Sequence, residues 1–191
     1  MDVLELLYDY FEDRAHAAAL IRQRRPFALG VLGALLGGVS VFMAEALAGR
    51  LHVFSFSGPS LILTLLWQVS MLFVLTAALH LLLDMTGARG DAGALFVHLG
   101  LSQLAWLAAV PATLIARALF PRATFWPAFL AFFGVWVWSM ALKARGLRDE
   151  YGVGEGRAWA TLFLPYALFA ALVALSTTLA IVALAVKAFS S

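Results

Sequence analysis

The chain has 191 residues, of which 63% are hydrophobic and 13% charged, and its mean hydropathy is +0.93. Soluble domains are roughly 45–50% apolar and about a quarter charged, so this composition excludes a soluble globular protein and indicates an integral membrane protein. A net charge of +2 without a basic, aromatic-rich run argues against a nucleic-acid partner. The absence of cysteine excludes disulfides and thiolate metal sites.

The first 26 residues are predicted to form an amphipathic helix on the cytoplasmic side, ahead of a single transmembrane domain over 27–191. Leu4, Leu7, Phe11 and Ala18 share one helical face. Acidic residues come early and basic residues late, which suits the helix dipole. The segment is either a polar lead-in to the first span or a helix that contacts the membrane surface or a partner.

Five apolar stretches are each about 20 residues or longer, the length that crosses the hydrocarbon core as a helix. Without water in that core, backbone groups must bond within a helix, which predicts an all-α fold with five transmembrane helices. The predicted spans are 27–48, 60–83, 94–120, 124–142 and 158–186.

The basic residues predict an orientation. Five spans put nine of them on the side of the N-terminus and four on the other: Arg14, Arg22, Arg24, Arg25, Arg89, Lys143, Arg145, Arg148 and Arg157 against Arg50, Arg117, Arg122 and Lys187. By the positive-inside rule the N-terminus is cytoplasmic and the C-terminus external. An Arg-, Ala- and Gly-rich composition is typical of GC-rich bacterial genomes, so the expected location is a bacterial inner membrane.

Two groups of ionisable residues within the spans are candidate sites, because such residues are costly in a membrane. Glu45 and Arg117 lie at similar depth near the external surface and are predicted to form an ion pair, unless each reaches the surface alone. His80, Asp84 and His98 are expected to meet near the cytoplasmic surface. They form a structural hydrogen-bonded cluster, a divalent metal site or a proton relay.

Small and polar residues indicate how the spans pack. Gly30, Gly33, Gly37 and Gly38 predict a close helix approach, either within the chain or to a second copy. Pro111 and Pro165 are predicted to bend their helices. Gln68, Gln103, Ser139 and the run 176–178 are expected to have structural roles, bonding across helices or to the preceding turn.

The sequence contains no motif that indicates catalysis. Neither a paired intramembrane carboxylate site, a G-x-S-x-G turn, a P-loop nor a dinucleotide fingerprint occurs. A non-enzymatic protein without a cofactor is therefore expected.

Two local patterns resemble the Yip family, the Ypt- and Rab-interacting five-span membrane proteins with many bacterial relatives. The first is His80, Gly87, Gly90, Gly100, Ser102 and Pro111, and the second is Tyr151, Gly152, Arg157, Ala158 and Pro165. The resemblance covers about 27–186. It implies a five-span fold and a role in membrane trafficking or organisation.

The leading functional hypothesis is a non-enzymatic protein that organises the membrane or scaffolds partner proteins. Its cytoplasmic loop is predicted to contact anionic lipids or a partner through Arg145, Arg148, Tyr151, Gly152 and Arg157. The rival hypothesis is a small transporter, channel or lipid-translocating protein that uses the polar groups within the spans.

Overall fold

The computed structural model describes residues 3–49, 57–121 and 125–190, and every regular element in those ranges is a helix. The helices are α1 (Val3–Phe11), α2 (Arg14–Arg24), α3 (Phe27–Leu47), α4 (Gly58–Met85), α5 (Ala92–Ser102), α6 (Ala109–Leu119), α7 (Phe125–Tyr151) and α8 (Glu155–Ser190). A 3₁₀ stretch, Gln103–Ala108, joins α5 to α6. Arg50 and Arg122, which entered the charge count, lie outside the described residues.

Five helices are long and apolar enough to cross a membrane, as predicted. They are Phe27–Leu47, Gly58–Met85, Ala92–Leu119, Phe125–Tyr151 and Glu155–Ala183, so the described part of the chain is all-helical and has five candidate membrane spans, which suggest a multi-pass membrane protein. The fourth span was predicted to end at 142, where charged residues begin. The helix instead continues to Tyr151, because packing within the chain stabilises its polar last turns and leaves a connection of only 152–154.

Glycines bring α3 close to its neighbours. A Cβ on Gly33 would lie 2.5 Å from the main-chain oxygen of Gly100, and one on Gly37 would lie 2.5 Å from that of Gln103. Gly30 also faces α5, and Gly38 faces Leu65 and Gln68 on α4. All four α3 glycines are buried in this way. The small-residue face therefore packs within the chain.

The N-terminal segment is two helices where one was predicted. Asp13 lies between α1 and α2 and caps the start of α2, since its side chain accepts a hydrogen bond from the main-chain nitrogen of His16. Asp9 Oδ2 lies 2.7 Å from His16 Nδ1 across the break. Leu6, Tyr10, Ala17 and Ile21 pack against Ala94, Val97 and Leu101 of α5. The face that packs on the chain is therefore formed by Leu6, Tyr10, Ala17 and Ile21, whereas Phe11 of the predicted face is 45% exposed.

The two deep prolines lie in different settings. Pro111 lies in the first turn of α6, directly after the 3₁₀ stretch. A proline removes one backbone donor and crowds the carbonyl four residues earlier, so the irregular turn comes before the proline. Pro165 lies inside α8, which remains helical through it. From Tyr166 to Ala183 every residue of α8 is exposed, so no residue of this part of the helix is buried in the bundle.

Candidate functional site

Four segments converge at one end of the bundle, here called the basic end: α2, the connection 86–91, the last turns of α7 and the first turn of α8. Glu150 is its central carboxylate, with only 1% of its side chain exposed. Its carboxylate accepts a hydrogen bond from Arg22 Nε at 3.3 Å and another from the main-chain nitrogen of Asp91 at 2.8 Å. Asp91 pairs with Arg25 at 2.8 Å and caps α5. Glu150 and Asp91 therefore fasten α2 to both α5 and α7.

Tyr151 fastens α7 to α4. Its hydroxyl lies 2.6 Å from His80 Nδ1, and its ring fills the space beside Gly90, where a Cβ would come within 2.6 Å of a ring carbon. Tyr151 is 6% exposed. The prediction that Tyr151 contacts lipid or a partner is therefore wrong, because its side chain is part of the interior.

Arg157 fastens α8 to the connection after α4. Its Nη2 donates to the main-chain oxygen of Thr86 at 2.9 Å. Gly87 and Gly152 have φ of +77° and +62°, conformations in which glycine avoids the clash of a Cβ. The two sequence patterns, one around His80 and one around Tyr151, are thus in direct contact and hold the basic end together.

The structure does not assemble the predicted cluster of His80, Asp84 and His98. His80 and Asp84 line an open groove beside Phe96. His98 follows Phe96 by two residues and so points roughly 200° away around the helix. It is 2% exposed between Tyr10 and Gly146. Among the described residues no three His, Asp or Glu side chains could hold a metal ion, so the metal alternative is wrong.

Tyr10 closes the far side of His98. Its hydroxyl donates to the main-chain oxygen of His98 at 3.2 Å. Burial raises the pKa of the Tyr10 phenol, with the nearby Asp149 carboxylate adding to the effect. The phenol therefore stays protonated and remains a hydrogen-bond donor, which makes this a structural contact between α1 and α5.

The ends of α3 and α6 are in contact through Arg117. Arg117 Nη1 donates to the main-chain oxygen of Leu47, the last residue of α3. Glu45 also has an interaction partner, and its predicted ion pair with Arg117 stays a prediction. An arginine near a helix C-terminus satisfies a carbonyl that the helix leaves without a partner. Arg117 therefore acts as a cap between helices.

A cleft of about 230 Å³ lies between α7 and α8 at the basic end. Arg145 and Arg148 line it from α7, one turn apart and both exposed, while Glu155 and Trp159 line it from α8. Arg148 Nη1 lies 3.5 Å from Glu155 Oε2. Arg145 takes part in none of the ion pairs among the described residues. The cleft therefore presents two guanidinium groups, against one carboxylate, beside an indole ring.

A larger cavity of about 600 Å³ lies within the spans, between α4, α7 and α8. Its walls are mostly apolar, and its polar or aromatic lining includes Trp67, Gln68, Gln103, Trp136, Lys143 and Tyr166. Gln68 and Gln103, expected to have structural roles, thus line the cavity. Ser139 does bond across helices, to the main-chain oxygen of Ser102 at 3.3 Å, and 176–178 bond to their preceding turns.

The position of Lys143 differs from the one predicted from the sequence. It was assigned to a cytoplasmic loop, yet it is 3% exposed inside α7. Its Nζ lies 2.6 Å from Ser139 Oγ, one turn toward the start of α7 and away from the basic end. The spacing of four residues between Ser139 and Lys143 is the signal that could have located it on a continuous helix.

A comparison of the chain with protein-family models, with curated proteins and with solved structures finds no match.

Proposed function

We propose that this chain is a non-enzymatic integral membrane protein of the Yip type that organises the membrane by holding anionic lipid headgroups at its basic end. The observation that carries the proposal is the cleft between α7 and α8, where Arg145 and Arg148 lie beside Trp159. Arginine binds phosphate through two parallel hydrogen bonds, and tryptophan is enriched at the headgroup level of membranes. The cleft brings two arginines and a tryptophan together at a helix end.

The rigidity of the basic end supports the same role. Glu150, Tyr151 and Arg157 fasten α2, α4, α5, α7 and α8 to one another there. A surface fixed in this way presents its charges at constant spacing, which favours binding of lipids or of a partner protein. We further propose that the basic end faces the cytoplasm of a bacterial inner membrane, since basic residues remain more numerous there even without the buried Lys143.

Lipid retention tests this proposal. The protein is extracted gently from bilayers of mixed phosphatidylcholine and phosphatidylglycerol, and the lipids that remain bound are identified by native mass spectrometry. We expect phosphatidylglycerol to be enriched over phosphatidylcholine. The double variant R145Q/R148Q should lose this enrichment, because each guanidinium contributes about 1 kcal/mol near a charged surface.

The matched control is R24Q/R89Q, which removes two exposed arginines of the same end that lie outside the cleft. It should keep the enrichment. Equal lipid profiles for the wild type and R145Q/R148Q, with no protein partner co-purifying, would refute a membrane-organising role for this surface.

A second candidate function is transport or lipid translocation, and the cavity between α4, α7 and α8 favours it. The path first expected for it, through His80, Asp84 and His98, is not continuous, because His98 is packed on the other side of α5. Movement of a fluorescent lipid between the leaflets of liposomes distinguishes the two functions, since holding headgroups requires no such movement.

A further inference from the structure

We infer that the cavity between α4, α7 and α8 binds a single-chain amphiphile, the anion of a long-chain carboxylic acid, with its carboxylate at Lys143. The inference is independent of headgroup binding at the basic end, because the cavity lies within the spans and shares no lining residue with the cleft. It depends on the charge, direction and surroundings of one lysine.

Lys143 lacks the partner that a buried lysine requires. Lysine is almost never fully buried without an ion pair, because a desolvated ammonium is costly. Lys143 belongs to none of the ion pairs identified among the described residues. An ammonium has three donors, and the hydrogen bonds of the described residues use one, to Ser139 Oγ. An anion from outside the chain would accept hydrogen bonds from the remaining donors and balance the charge.

The side chain points into the membrane. A lysine near the end of a span ordinarily extends toward the nearer surface. Lys143 does the opposite, since Ser139 lies one turn deeper than Lys143 along α7. Ser139 in turn donates to the main-chain oxygen of Ser102 at 3.3 Å, which leaves its lone pairs for the lysine. The chain therefore holds the amino group at a set depth within the spans.

The walls of the cavity suit one hydrocarbon chain. Trp67, Trp136 and Phe169 contribute aromatic surface, and apolar residues of α3, α4, α7 and α8 add to the lining. A volume of about 600 Å³ is within the range of sites that enclose one small molecule, roughly 300–1,000 Å³. Beyond Pro165 every residue of α8 up to Ala183 is exposed, so this side of the cavity is open to a hydrocarbon chain that enters from the bilayer. A hydrocarbon chain in contact with both the cavity and the bilayer leaves no apolar surface in water.

A carboxylate fits the polar groups better than a phospholipid headgroup does. Besides Lys143, the polar lining of the cavity includes the amides of Gln68 and Gln103, which are hydrogen-bond donors. A phosphodiester headgroup would bring further polar atoms to this depth, and each one without a partner is costly. The occupant is therefore a single-chain carboxylate, and other occupants are outcomes of the test.

Photocrosslinking tests the inference on the full chain. The purified protein is reconstituted in phosphatidylcholine nanodiscs with a C16 carboxylic acid that carries a diazirine in its chain, and the labelled residues are located by mass spectrometry. We expect label within 136–140 and 165–169. Palmitate should suppress this label, whereas hexadecanol should not. For Lys143→Met the competition by palmitate should weaken at least about tenfold, as for loss of a charge-assisted hydrogen bond.

Three further variants separate loss of the site from loss of folding. Ala78→Leu fills the cavity while keeping the lysine, and should also reduce the label. Ala77→Leu, at the neighbouring position in the other groove, should not. Arg89→Gln removes an exposed cation and should leave competition unchanged. Label that palmitate does not suppress, label confined to the outer surface of α8, or equal competition in a folded Lys143→Met would each overturn the inference. Preferential competition by phosphatidylglycerol would assign the cavity to a phospholipid instead.

Discussion

Gly33 is a position where a single atom decides the packing of two helices. A Cβ there would lie 2.5 Å from the main-chain oxygen of Gly100 and 3.0 Å from its carbonyl carbon. Both are backbone atoms, which cannot move aside as the end of a flexible side chain can. In a membrane, where apolar burial does not drive helices together, such close approach contributes much of the association.

Gly33→Ala should therefore destabilise the protein. The added methyl group forces α3 and α5 apart, and overpacking of this kind costs about 1–3 kcal/mol. The measurement is the thermal unfolding midpoint of the purified protein in a mild detergent, which should fall. Gly134→Ala is the matched control, because a Cβ on Gly134 meets nothing within 4 Å. Alanine favours a helix over glycine by roughly 0.5–1 kcal/mol, so that midpoint should stay or rise. An unchanged midpoint for Gly33→Ala would contradict the close packing of α3 on α5.

The sequence predicts the packing face of α3 but not the direction in which His98 points. The α3 glycines were recognisable as a packing face because small residues recur at helical spacing. The depth of His98 was also predictable, yet its direction was not. Hydropathy sets the position of a residue along the membrane normal, whereas rotation of the helix about its axis is set by neighbours distant in sequence. That rotation separates His98 from His80.

Among the elements, the N-terminal pair α1 and α2 depends most on the rest of the chain. The pair packs on α5 through its apolar face and is tied to α7 by Arg22. Helices of nine and eleven residues are too short to be stable alone in water. Their helical state therefore depends on these contacts.

Glu150→Ala should loosen α2 without unfolding the spans. The substitution leaves the main-chain nitrogen of Asp91 without its acceptor and Arg22 without its carboxylate, a loss of about 1–3 kcal/mol. Hydrogen exchange of the α2 amides should become about tenfold faster or more, with exchange in α3 unchanged. Glu155→Ala is the control, since that side chain is 70% exposed and its pair with Arg148 contributes little. Equal exchange in the two variants would show that α2 does not depend on Glu150.

The elements themselves were largely predictable from the sequence. Each span is an apolar run longer than a membrane requires, and backbone hydrogen bonding in lipid leaves few alternatives to a helix. The predicted helix boundaries are wrong where polar residues occur in a helix that tertiary packing stabilises. The last turns of α7 were assigned to a loop because of their charges, although Glu150 and Tyr151 are buried partners of other helices. The break at Asp13 was readable as a helix cap.

For the whole molecule, the basic and the opposite end define two surfaces whose orientation can be measured directly. The chain has no cysteine, so single cysteines can be introduced without background. Arg89→Cys places a thiol in the α4–α5 connection, and Phe120→Cys places one after α6, both at exposed positions. In intact bacterial cells, a membrane-impermeant maleimide should label Phe120→Cys and not Arg89→Cys.

After permeabilisation both thiols should be labelled, which confirms that each is reactive. Labelling of Arg89→Cys alone in intact cells would reverse the proposed orientation. Labelling of both thiols in intact cells would contradict an odd number of spans between these two positions.

The course of α8 beyond Pro165 has a consequence for how the sequence can vary. Within this chain, no residue from Tyr166 to Ala183 is buried. A helix without a buried face places few demands on individual positions. Selection there acts mainly on the summed hydropathy of the segment and on the residues that line the cavity, so most apolar exchanges should be neutral. By contrast, α3 can vary little at its glycines, and the two helices should diverge at very different rates.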